Sequence, residues 1–63
     1  MNAGELNATH IGRTISFGEV SEELRQIYHE GDYPHGLTYV CVGEAVREFQ
    51  LYQNDPIRME DAV

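Results

Sequence analysis

Sixty-three residues make one domain at most, and a chain this short buries only about 60% of the surface that its unfolded form exposes. Small domains close that gap with disulfides, a metal, very regular packing or a partner subunit, and the single cysteine, Cys41, excludes an intramolecular disulfide. Eleven Asp and Glu against four Arg and no Lys give a net charge of −7, which repels phosphate backbones and argues against direct nucleic-acid binding.

Met1 to Ala8 carries no basic n-region and no apolar h-region, so it does not read as a secretory signal. It is expected to be a frayed lead-in, with Leu6 able to pin it to the body. Asn7-Ala8-Thr9 matches the glycosylation sequon and is expected to be a chance match, since no export signal is read in Met1 to Ala8. No apolar run approaches the roughly 18 residues that span a bilayer, and the expected location is the cytoplasm. Thr9–Phe17 is rich in β-branched residues and is expected to be the first strand, with Gly12 marking a bulge or a close backbone approach.

Gly18 to Gly31 gives conflicting local signals. Val20, Leu24, Ile27 and Tyr28 fall at i, i+4, i+7 and i+8, one face of a helix. Ser21 suits an N-cap, Glu22 and Glu23 suit a positive first turn, and Gly31 suits the C′ position. Local evidence alone therefore favours a helix over about 21–30, with a strand over Glu22–His29 as the competing assignment.

Asp32 to Gly36 is a turn, set by Pro34 and Gly36. The stretch from Gly36 to Pro56 is expected to hold two strands and the turn between them. In Leu37–Val42 both alternating faces are apolar or β-branched, which suits a central strand covered at least in part on both sides. Cys41 then reads as a buried small hydrophobe rather than a reactive thiol. Gly43-Glu44-Ala45 turns the chain, and Arg47–Tyr52 returns with Phe49 and Leu51 on one face. Ile57–Met59 is a short closing strand and residues 60–63 are a polar tail. The expected core is Ile11, Ile15, Phe17, Leu24, Ile27, Val40, Phe49 and Leu51.

Among candidate ligands, His10, His29, His35 and Cys41 form no close-spaced pair of the kind that short metal sites use, so no metal or other cofactor is expected. The carboxylate pairs Glu22-Glu23 and Glu60-Asp61 lack an evident apolar cleft to raise a pKa. No nucleophile set or phosphate loop appears, and an enzyme is not expected. Arg47 and Arg58 are expected to pair with Glu48 or Glu60 neighbours on a solvated face. Four tyrosines in so small a domain suit a contact surface, because the ring is broad and the hydroxyl bonds. The candidate partner-contact residues are Tyr33 and His35 in the turn, Tyr52 at a strand end, and the acidic Glu22 and Glu23.

Taken in order, the chain reads I-G-x-T-I-x-F from Ile11, E-L-R-x-I-x-H from Glu23, T-Y-V-x-V-G from Thr38, R-E-F-x-L from Arg47 and D-P-I from Asp55. This pattern resembles small SH3-like β-barrel proteins encoded by bacteriophages of actinobacteria. The resemblance covers most of the chain, through packing and turn residues. It implies a β-barrel fold in which the segment matching Glu23 to His29 is a strand, and a phage origin; it implies no activity.

The resulting expectation is one mainly β domain over 1–63: a small antiparallel SH3-like barrel or curled sheet of four to five strands, with 1–8 and 60–63 as frayed tails. The alternative is an α+β unit with one helix on a three-stranded sheet. The functional expectation is a non-enzymatic acidic accessory protein that binds a host or phage protein. A homodimer that pairs through a strand edge is the structural alternative, and a nucleic-acid-binding barrel is disfavoured by charge.

Overall fold

In residues 1–60, which the computed structural model describes, five strands form one antiparallel sheet. They are β1 (Thr14–Phe17), β2 (Val20–Glu30), β3 (Leu37–Val42), β4 (Arg47–Tyr52) and β5 (Arg58–Glu60), in the spatial order β4-β3-β2-β1-β5. β3 and β4 occupy the expected positions, and they pair in a continuous register from Leu37↔Tyr52 to Val42↔Arg47. Among the described residues β4 and β5 are not paired with each other, so the sheet is curled and open rather than closed into a barrel.

The helical alternative for 21–30 is not realised; that segment lies wholly within β2. A bulge explains the misleading spacing. Leu24 pairs with Val42 and Gln26 with Cys41, which leaves Arg25 as the extra residue. The insertion reverses the side-chain parity, so Leu24 and Ile27, three apart, both face the core. A bulged strand thus imitates the i, i+3 spacing of a helix. Tyr28 breaks the imitation: it lies on the opposite face and is 62% exposed.

The concave inner face carries Ile15, Leu24, Val40 and Val42, all fully buried, with Phe17, Val20, Ile27, Phe49, Leu51 and Met59 packed around them. Phe17 on β1 meets Phe49 on β4 edge to face with centroids 5.5 Å apart, although two strands separate β1 from β4. Only a curled sheet permits that contact. Arg47 lies over the Phe49 ring, 5.3 Å from its centroid, and pairs with Glu22 across the curl, not with the expected Glu48.

The N-terminal segment is not the expected frayed lead-in but the lid of the core. Ala3 and Leu6 are buried with Ile57 among the core residues. Backbone bonds of 2.8 Å hold the segment, from Ala3 N–H to Asp55 O, Gly4 N–H to Gln53 O, and Ile57 N–H to Met1 O. His29 supports it from β2: its two ring nitrogens lie 2.8 Å from Leu6 O and from Thr38 Oγ1.

The expected strand over Thr9–Phe17 is shorter by five residues, because Ala8–His10 is a 3₁₀ turn. Asn7 starts that turn by accepting from Thr9 N–H at 2.9 Å, a local bond that competes with strand pairing. Ile11, expected in the core, is consequently 47% exposed. β5 starts one residue later than expected, with Ile57 buried ahead of it. The expected tail begins inside β5 at Glu60, and its remaining positions, 61–63, lie outside the described residues.

Candidate protein-interaction surface

The β3 strand has two apolar faces, and the fold covers one of them. Thr38, Val40 and Val42 point inward and are buried. Leu37, Tyr39 and Cys41 alternate with them, point to the outer face and are half-buried. Cys41 is therefore not the core residue expected from its apolar setting; the core positions belong to its neighbours Val40 and Val42.

Cross-strand register extends this outer face on both sides of β3. Tyr39 is opposite Tyr28 on β2 and Gln50 on β4; Leu37 is opposite Glu30 and Tyr52; Cys41 is opposite Gln26 and Glu48. The Tyr28 and Tyr39 rings meet at a centroid distance of 5.7 Å and an interplanar angle of 43°. Tyr39 donates its hydroxyl proton to Glu30 Oε1 at 3.1 Å. Glu30 and Glu48 occupy opposite diagonals from Tyr39. The bond to Glu30 is the chief cause of an upward shift of the Tyr39 pKa, followed by desolvation and by the negative charges of Glu30 and Glu48. Ile11, Arg25, Tyr28, Tyr39, Cys41 and Glu48 contribute to an open groove of about 380 Å³ on this face.

The five candidate residues from the sequence do not form one site. Tyr52, at the end of β4, belongs to the outer face and is 64% exposed. Tyr33 and His35 are exposed in the β2–β3 turn, at the same end of the sheet as Tyr52. Tyr33 is also engaged within the fold. Its ring lies where a side chain on Gly4 would stand, and its hydroxyl accepts from Asn2 Nδ2 at 3.3 Å. Glu22 faces inward and is engaged by Arg47, while Glu23 is exposed beyond the bulge, its carbonyl accepting from Gly43 N–H at 2.9 Å.

Sequence reasoning misses Tyr28 and Tyr39 as a pair. Tyr28 fits the apparent helical stripe, and nothing local to β3 shows which of its two apolar faces is left bare. The alternation of Tyr39 with Val40 on a strand next to Tyr28 is the available signal.

Among the described residues, no three His, Cys, Asp or Glu side chains group as a metal site would require. A second open groove of about 450 Å³ lies against the β1–β2 turn, bordered by Phe17, Glu19, Ser21 and Arg58. No family model, curated protein or solved structure matches this chain.

Proposed function

We propose that this chain is a small non-enzymatic binding module that docks a protein partner on the outer face of β2, β3 and β4. The observation that carries this reading is the half-buried apolar outer side of β3, where Leu37, Tyr39 and Cys41 sit between the exposed Tyr28 on one neighbour and the exposed Tyr52 on the other. Tyrosine is enriched at protein interfaces because it adds wide contact area with few rotatable bonds and keeps a polar tip. In the phage setting that the resemblance suggests, the partner would be a host or phage protein.

An open sheet face with aromatic rings also suits stacked bases of single-stranded nucleic acid. Here the ring pair is flanked by Glu30 and Glu48 on a chain of net charge −7, so phosphates would meet repulsion where they need cations. A protein occupant is the better fit. A second reading, self-association, rests on β4 being an edge strand of the sheet. Sedimentation separates it from the first, because it requires a species of twice the 7.2 kDa of the chain.

Site-specific photo-cross-linking tests the reading in cells of the source organism. A benzophenone side chain at Gln50, on the outer face, should give a discrete adduct that the same group at Glu44, in the β3–β4 turn, does not. The adduct should disappear in a Tyr28→Ser/Tyr39→Ser variant, since truncating buried interface tyrosines costs about 2 kcal/mol or more each. An equal adduct from Glu44, or an adduct that survives the double variant, would overturn the reading.

A further inference from the structure

We propose that the occupant of this face is an arginine-bearing segment of the partner, with a guanidinium plane lying on the Tyr28–Tyr39 rings, its N–H groups bonded to Glu30 and its charge attracted by Glu48. The proposal rests on the docking role of the outer face and adds the chemistry of what docks there.

Three observations converge on that chemistry. The first is the ring pair itself, with centroids 5.7 Å apart and Tyr28 largely exposed, which offers a π surface to a flat cation. The second is the position of the two carboxylates. They flank Tyr39 on opposite diagonals, one on β2 and one on β4, so a cation resting on the rings has negative charge on either side. Glu30 keeps a second oxygen beyond the one bonded to Tyr39, and an ionised carboxylate accepts several bonds. The third is charge: a chain of net charge −7 draws a cationic segment and opposes a second copy of itself.

Arginine suits the place better than lysine. Its guanidinium is planar, stacks on aromatic rings and bonds carboxylates through a fixed fork, whereas an ammonium is a compact and strongly hydrated point charge. The groove also contains a cation of the chain's own, Arg25, held there by the bulge. It opposes the incoming charge, which makes it a residue whose removal should strengthen binding.

Three flexible peptides in a Gly/Ser background, with arginine, lysine or glutamate at three alternate positions, provide the probe. Binding is followed by isothermal titration at low salt. The arginine peptide should bind saturably, the lysine peptide about fivefold more weakly and the glutamate peptide not at all. Tyr39→Leu and Glu30→Gln should each weaken arginine binding by about tenfold. Arg25→Gln should tighten it about twofold to fivefold, a gain that misfolding cannot imitate. No saturable arginine binding would overturn the proposal. So would equal affinity for arginine and lysine peptides with no effect of Tyr39→Leu, which would reduce the interaction to net charge. If the Gln50 cross-link forms while the arginine peptide fails, the docking face stands and its cationic occupant falls; if both fail, both fall.

Discussion

Gln53 is buried to 2% exposure where two connections meet. Its Nε2 group lies 3.1 Å from Gly31 O and 3.3 Å from both Glu30 O and Leu37 O, and its Oε1 accepts from Gly36 N–H at 3.2 Å. One side-chain amide thereby ties the β2–β3 turn to the end of β4, sharing the Gly36 N–H with Asp32 O, which lies 3.0 Å from it. Gln53→Leu keeps the bulk and removes the partners, so urea unfolding should show a loss of about 2–3 kcal/mol. A loss within the noise of the measurement would mean that water takes the amide's place.

Tyr39 makes a second residue-scale test. Its hydroxyl proton is held chiefly by the bond to Glu30, so its pKa lies above the ordinary 10.0. For a group raised in the folded state, the stability it contributes is fully present below the unfolded value. It is lost as pH rises through the higher folded value. Alkaline titration of Tyr39 should therefore show a midpoint above the ordinary 10.0, and Glu30→Gln should lower that midpoint. A Tyr39 midpoint that Glu30→Gln leaves unmoved would contradict the Glu30 bond in solution.

At the scale of elements, the β3–β4 turn carries an evident local cost. Val46 adopts φ 51°, a left-handed conformation that a β-branched side chain resists. Val46→Gly should stabilise the hairpin by about 1 kcal/mol, seen as a higher urea midpoint with an unchanged slope. A lower midpoint would show that the half-exposed Val46 side chain packs more usefully than its backbone strains. The same hairpin shows how far the sequence is legible. The β-branched run Leu37–Val42, apolar on both faces, and the alternation of Phe49 and Leu51 with polar residues in Arg47–Tyr52, bounded by Gly36, Gly43 and Asn54-Asp55-Pro56, mark two strands, and both appear where expected. β2 is obscured because its bulge at Arg25 shifts the apolar residues to a spacing shared with helices. β1 reads too long because β-branched composition outweighs the Asn7 bond that turns the chain at Ala8. Partner-contact residues are legible only in part. Exposure of Tyr52 follows from a strand end, whereas pairing of Tyr28 with Tyr39 depends on a register that no local pattern displays.

For the whole molecule, the central asymmetry is that a lid exists for one side of the sheet. Ala3 and Leu6 close the concave face, and the other apolar face of β3 stays only half-buried. Leu6 is buried at the edge of the core, so Leu6→Ala should cost about 2–3 kcal/mol, toward the lower end for a core leucine because the segment can settle. The net charge of −7 then acts on a body whose principal extents are 31 × 22 × 22 Å, small enough for the whole field to reach the outer face at low salt.

The most direct measurement is amide and tyrosine-ring NMR of the intact chain titrated with the arginine peptide. Shifts confined to Gln26, Tyr28, Glu30, Leu37, Tyr39, Cys41, Glu48 and Gln50, with Ile15, Leu24 and Val42 unmoved, are the expected result. Shifts centred instead on the Phe17–Ser21 groove, or spread evenly over every exposed carboxylate, would contradict it.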